Sequence, residues 1–262
     1  MNFNFNNKNI FISGATHGIG LSCLLNFARL GANVITFSRD KKKIFNTKKK
    51  LNFTKGKFLI EEGDILDDNF VHDFSKLILK KYNKIDILIH NVGGGGRWGN
   101  DSFLNTDLNI WDEVYIKNNR GLIIFSKYFL PTMIKNRWGR IIAIGSICGI
   151  EAKEEDRSWF NAAKSAQHAI IKSFSKKHIF TKKNITFNSI SPGIIFIKNT
   201  GWDIKKNKKS KKIKLMVNKF IPTSHLGIPQ DISNMCMFLC SDYAKYINGS
   251  NIIIDGGLTN AI

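Results

Sequence analysis

At 262 residues, 43% of them apolar, the chain can bury a full core, and α/β folds of this length are routinely one unit, so a single domain over 1–262 is expected. No run of about eighteen apolar residues occurs, and the opening MNFNFNNKNIF lacks the basic, apolar and small-residue succession of a signal peptide, so no membrane association and a cytoplasmic location are expected. The formal net charge of +20 raises nucleic acid as a partner, but Lys greatly outnumbers Arg, the lysines are spread along the chain and few aromatics are interleaved, as an A/T-rich genome produces whatever the function; nucleic-acid binding is not expected.

In chain order, NIFISG at 9–14 reads as a strand and 19–30 as an amphipathic helix, followed by strands NVITFS at 33–38 and GKFLIEEG at 56–63. A helix over 68–80, a strand in KIDILIHNVG at 84–93, a long helix over 110–133 and a strand in GRIIAIGS at 139–146 come next. The chain closes with a helix over 158–178, a strand in ITFNSISPG at 185–193, a helix over 230–241 and a strand in NIIIDGG at 251–257. Alternation of this kind predicts seven strands and about six helices in a doubly wound parallel sheet. The lysine-dense segment 198–222 follows a strand end, where it is either a lid over a ligand or a solvated helix pair. Cys23, Cys148, Cys236 and Cys240 form no Cys-x-x-Cys pair and meet no His cluster, so they read as small core residues and no metal is expected.

Between the first strand and the first helix stands SGATHGIG, with glycines at 14, 18 and 20. Glycine permits a tight turn and lets backbone N–H groups approach a pyrophosphate at the positive end of a helix. The three-residue first gap departs from GxGxxG and resembles the Thr-Gly-x-x-x-Gly-x-Gly turn of the short-chain dehydrogenases/reductases, the 3-oxoacyl-carrier-protein reductases among them, with Ser13 in place of Thr. Further elements resemble that family in order: GDI at 63–65, HNVGG at 90–94, the Asn118 region, GRIIAIGS, SPG at 191–193 and DGG at 255–257. The resemblance implies a Rossmann-type fold, a seven-stranded parallel sheet with helices on both faces. It also implies dinucleotide contacts from Gly14, Thr16, His17, Gly18, Ile19, Gly20, Ser38, Arg39, Asp64, Ile65, Asn91, Gly93, Lys164, Pro192 and Gly193.

Members of the family that use NAD usually carry an Asp where Ser38 stands. Its absence, with Arg39 following as a fork suited to a 2′-phosphate, favours NADP(H) over NAD(H), although Asp40 weakens that preference and Arg39 also reads as a solvated loop cation.

Carried over by position, the family's catalytic Asn, Ser and Lys fall on Asn118, Ser146 and Lys164, and its Tyr falls on Phe160. In the family, Ser and Tyr hold the substrate oxygen, Tyr passes the proton, Lys binds the cofactor ribose, and Asn supports a water that links Lys to solvent. Phe160 has no proton to give. Three readings stand: an oxidoreductase with an acid relocated to the loop of Glu151, Glu154, Glu155 and Asp156; a dinucleotide-binding partner with little turnover; or an engineered substitution of Tyr.

On the substrate side, Arg97, Trp98, Lys153 and Arg157 are expected at the pocket mouth, where cations suit a phosphate or carboxylate and a carrier-bound 3-oxoacyl chain also fits. They read equally as rim cations of a lysine-rich protein. Ile197 stands where the family often has Thr, leaving Thr200 or the backbone for that contact and Trp202 to close over the substrate or to pack within the lid. Apolar faces on 110–133 and 158–178 suit a homodimer or homotetramer, and His168 reads as an interface or core residue.

Overall fold

Runs of β-branched residues buried on both faces form a continuous parallel sheet in the computed structural model, which describes residues 3–100, 102–152, 157–198 and 210–261. The strands are β1 (Asn9–Ile12), β2 (Asn33–Ser38), β3 (Phe58–Glu62), β4 (Ile87–His90), β5 (Gly139–Ile144), β6 (Ile185–Pro192) and β7 (Asn251–Ile254). Their order, β3-β2-β1-β4-β5-β6-β7, reverses direction between β1 and β4. That reversal opens a crevice at the carboxyl ends of the strands.

The helices are α1 (Gly18–Arg29), α2 (Lys41–Leu51), α3 (Asp68–Tyr82), α4 (Leu108–Tyr115), α5 (Gly121–Asn136), α6 (Ser158–Ser175), α7 (His178–Thr181), α8 (Ser210–Phe220) and α9 (Pro229–Cys240). One face of the sheet packs under α1 and α9 through Leu24, Phe27, Ile232 and Leu239, with Cys23, Cys236 and Cys240 as small core residues. The other face packs under α3, α5 and α6 through Phe74, Ile78, Phe125, Phe129 and Ile171. Helices on both faces of seven parallel strands make this the Rossmann-type architecture.

Three elements differ from the sequence expectation. Helix α2 was not located, because KKKIFNTKKKL buries only Ile44, Thr47 and Leu51 and its lysines mask that stripe; Asp40 caps it, accepting from Lys43 N at 2.9 Å. The helix expected over 110–133 is interrupted by a π turn at Ile116–Arg120 that joins α4 to α5. The helix expected to reach 178 ends at Ser175, and α7 is a separate turn. In the lysine-dense segment, α8 buries Ile213 and Val217 against Ile221 and Leu226 in a small core of its own; residues 199–209, with Thr200 and Trp202, lie outside the described residues.

Candidate active site

The glycine turn leaves β1 and enters α1 at the reversal point. Gly14 has φ +65°, and a Cβ there would stand 2.5 Å from Val92 Cγ2, so the turn closes this tightly only with glycine. Asn91 ties it down: its Nδ2 donates to Ser13 O at 3.0 Å and Gly14 O at 3.2 Å. His17 caps α1 without a side-chain bond to its first turn, whose Gly18 and Ile19 line the adjoining cavity, while its own Nε2 lies 3.3 Å from Lys198 O. Ser38 Oγ accepts from Thr16 Oγ1 at 2.9 Å, joining the end of β2 to the turn.

A cavity of about 650 Å³ spreads from this turn across the carboxyl ends of the strands. Every cofactor candidate except Gly20 lines it, as do Ser146 and Phe160. Gly20 sits behind, against the Asn91 amide. Arg39 lines the rim, two-thirds exposed and paired with Asp64 at 3.2 Å. Two further cations line the cavity that sequence reasoning passed over, Lys43 on α2 and Lys117 in the π turn. Lys117 lies 3.9 Å from the Trp98 ring centroid, and burial, with the Arg39 charge adding, lowers its pKa.

The π turn fixes Asn118. Its wider coil leaves the Val114 carbonyl to the Asn118 amide, which donates to it at 2.7 Å and to Gly94 O at 2.8 Å, while Oδ1 accepts from Gly94 N at 3.2 Å. Fully buried, Asn118 stands behind Gly93, where a Cβ would meet Asn118 Oδ1 at 2.7 Å and Lys164 Nζ at 2.9 Å. Lys164 on α6 is 4% exposed and donates to Ile144 O at 2.9 Å and Gln167 Oε1 at 3.1 Å. Desolvation lowers its pKa to about 7, against a smaller opposing influence from Cys148.

Ser146 follows β5, and its hydroxyl accepts from Cys148 N at 3.2 Å, keeping its own proton for another acceptor. His168 lies beneath it, with Nδ1 3.0 Å from Ser189 Oγ and Nε2 3.4 Å from Ser146 O, in a packed polar network rather than in the cavity. Phe160 presents its ring to the cavity, with Lys164 Nζ 5.9 Å from the ring centroid.

The family model described as "Enoyl-(Acyl carrier protein) reductase" matches residues 14–259. The chain is 32% identical over 257 residues to the uncharacterized oxidoreductase YxbG of Bacillus subtilis, covering 96% of this chain and 91% of that protein. It is 29% identical over 252 residues to the 3-oxoacyl-[acyl-carrier-protein] reductase FabG of Thermotoga maritima, covering 96% of this chain and 97% of that one. The chain belongs to the short-chain dehydrogenase/reductase family. That family consists of NAD(P)-dependent oxidoreductases that act on CH–OH and C=O groups. Among solved structures, L-sorbose reductase of Gluconobacter frateurii, complexed with NADPH and L-sorbose, shares the fold with a TM-score of 0.90 over all of both chains at 23% identity. A 7α-hydroxysteroid dehydrogenase complexed with NADH and 7-oxo glycochenodeoxycholic acid superposes with a TM-score of 0.85 at 26% identity, covering 97% of this chain and 95% of that one.

Against the short-chain dehydrogenase pattern, several expected partners stand elsewhere. Glu151 turns to Asn260, accepting from its N at 3.3 Å and its Nδ2 at 3.4 Å, and does not line the cavity; Lys153, Glu154, Glu155 and Asp156 lie outside the described residues. Arg97, Trp98 and Arg157 do not line the cavity either. Trp98 packs with Phe160, Trp159 and Trp111 in an aromatic cluster beside it, and Arg157 lies over the Trp159 ring at 6.0 Å. Ile197 lines the cavity and covers Gly18.

The backbone carbonyl of Asn118 accepts from His90 Nε2 at 3.0 Å and Gln167 Nε2 at 2.9 Å. Neither His90 nor Gln167 was singled out from the sequence. His90 occupies the first Asn position of the family's Asn-Asn-Ala-Gly element, and Gln167 falls three residues after Lys164, the helical spacing that brings side chains together.

Proposed function

We propose that the protein binds NADP(H) in this cavity and interconverts a carbonyl and an alcohol on a small, anionic substrate. The observation that carries the reading is convergence on one cavity of the glycine turn, the Arg39 and Lys43 rim, and the Ser146, Phe160 and Lys164 floor. The donors fit a dinucleotide: backbone N–H groups at α1 for the pyrophosphate, Asp64 and Ile65 for the adenine side, and Lys164 for a ribose hydroxyl. A bound nicotinamide supplies the hydride chemistry. Ser146 donates a hydrogen bond from its hydroxyl to the substrate oxygen, and the Asn118 amide fixes the Gly94 backbone behind the floor.

Arg39 and Lys43, with His17 at the other side of the rim, favour a 2′-phosphate, and the absence of a carboxylate at Ser38 removes the repulsion such a phosphate would meet. A 3-oxoacyl chain, a keto acid and a sugar phosphate are the substrate classes we assign, and the FabG relatives support a carrier-bound chain. In our reading the chain is one domain whose 198–222 segment is a lid over that substrate. We also assign a homo-oligomer, supported by exposed Phe103, Leu104, Leu108 and Tyr115 at and before α4.

A second reading, a dinucleotide-binding protein with little turnover, is favoured by two observations: Phe160 carries no proton, and Glu151 is bonded to Asn260. Titration with NADPH and NADH, followed by assay of wild type and Phe160→Tyr against 3-oxoacyl, keto-acid and sugar-phosphate substrates, decides between them. The first reading expects turnover by the wild type and a gain of up to ~10²–10⁴-fold on restoring the phenol. Turnover confined to Phe160→Tyr supports the binding protein, and failure to bind either dinucleotide sinks both.

A further inference from the structure

Behind the cavity floor, one buried side chain joins two of the residues described above. Gln167 is fully buried on α6, receives Lys164 Nζ on Oε1 at 3.1 Å and donates Nε2 to Asn118 O at 2.9 Å. The orientation of the amide is dictated by its partners, since an ammonium only donates and a carbonyl only accepts. His90 occupies the other lone pair of the same carbonyl at 3.0 Å, its Nε2 therefore carrying the proton, and its Nδ1 faces Ser13 Oγ at 3.4 Å. Ser13 in turn accepts from Asn91 N at 2.9 Å and Val92 N at 3.0 Å. A chain of hydrogen bonds thus runs from Lys164 through Gln167, Asn118, His90 and Ser13 to the loop after β4 that shapes the cavity.

We propose that Gln167 is a positioning residue for Lys164: it clamps the amine against the Ile144 carbonyl, saturates the Asn118 carbonyl, and leaves the lysine one N–H direction, toward the cavity. Three N–H groups belong to a protonated lysine, and Ile144 O and Gln167 Oε1 take two. The third has the space that glycine at position 93 provides. A primary amide does not pass protons in its ordinary tautomer, so protons reach Lys164 from the cavity side. This arrangement suits Phe160: with no phenol in front of the lysine, a relay behind it has nothing to recharge.

The clamp deepens the dinucleotide reading and rests on it for its purpose, but its test begins on the protein without ligand. The titratable groups facing Lys164 are Cys148 after β5, His90 on β4 and His168 on α6. The Lys164 Cε carbon, assigned by its loss in Lys164→Met, is followed by NMR between about pH 5 and 11 in wild type, Gln167→Glu and Gln167→Leu, with circular dichroism and thermal melting as checks on folding. In Gln167→Glu, a carboxylate 3 Å-scale distant from the amine raises the lysine midpoint by about one to three pH units. In Gln167→Leu, which removes the acceptor, the midpoint falls. The same variants are then titrated with NADPH, whose affinity is expected to fall about tenfold in Gln167→Leu.

A merely structural glutamine would lower the melting temperature and leave the midpoint where it is. Unchanged Lys164 titration in both folded variants overturns the clamp. If either variant fails to fold, Gln167→Met, which keeps the volume, supplies the comparison, and an unmoved midpoint there overturns it equally. Failure of wild type to bind NADPH or NADH overturns the dinucleotide reading instead, with the lysine midpoints still deciding the clamp.

Discussion

The two ends of the sheet handle buried polar groups in opposite ways. At the amino ends most of them close on one another, the Thr186 hydroxyl being an exception. Asp86, 2% exposed, accepts from Asn9 N and Lys84 Nζ, both at 2.9 Å, and Asn33 donates to Asn9 Oδ1 at 2.8 Å. Arg140, fully buried on β5, donates from one nitrogen to Gly139 O and Asn184 O at 2.8 Å and from the other to Asp242 at 3.3 Å, leaving only Nε without a partner. At the carboxyl ends, Lys164 and Ser146 each retain a donor and line a cavity. Burial with closed partners is a structural tie, whereas burial with donors held toward open space is the arrangement a ligand needs.

That contrast breaks most visibly at Arg140. Replacing it with Met strips the donors from two backbone carbonyls and should lower unfolding stability by roughly 2–4 kcal/mol, while dinucleotide affinity of the folded protein stays within about twofold of wild type. Chemical denaturation beside a binding titration reads both. Lys164→Met should do the reverse. It removes a desolvated amine, so thermal stability holds or rises, but NADPH affinity falls by about ten- to a hundredfold, the range of a hydrogen bond to a charged group. Parallel loss of stability and binding in both variants would erase the distinction between the ends.

Legibility of the sequence follows the same division. All seven strands were readable as short runs rich in β-branched residues set between helical segments, and the glycine turn because its spacing is set by a backbone conformation rather than by a partner. Helix α2 escaped because its buried stripe is only Ile44, Thr47 and Leu51 among lysines. The π turn escaped because periodicity carries across it, though Asn118 itself was found by its place in the family pattern. Gln167, His90 and Lys117 escaped for a different reason: local spacing marks a neighbour at most, and each matters through residues distant in sequence, such as Gln167 through Asn118, 49 positions away. The expectation of substrate cations at Arg97 and Arg157 met side chains that do not line the cavity, because proximity along a loop does not fix the direction of a side chain.

A smaller effect is expected at the rim. Arg39 is largely exposed and already paired with Asp64, so its contribution to a 2′-phosphate is screened and shared with Lys43. Arg39→Ala should weaken NADPH by about five- to tenfold and leave NADH within about twofold, with the difference shrinking as salt is raised. Equal loss for both cofactors would make Arg39 a tie for Asp64 rather than a selector of phosphate.

A last test falls at the carboxyl end of β4, where His90 closes against the Asn118 carbonyl. Burial, helped by the Lys164 charge and opposed by the hydrogen bond to Asn118, lowers its pKa from 6.5 to about 3, so the folded protein holds the ring neutral. Between those values the unfolded chain binds a proton the folded chain does not, and stability therefore rises with pH across the interval and is lost as pH falls through it. Lys164 works in the same sense at higher pH: with its folded pKa near 7 against 10.5, the free protein should gain stability as pH rises from about 7 toward 10. His90→Asn keeps a donor for the carbonyl but cannot titrate, so it should flatten the acid limb and spare the alkaline one, as measured by urea midpoints from about pH 4 to 10. An acid limb that survives the substitution would move it from His90 to His168, whose pKa burial also lowers with the Lys164 charge adding.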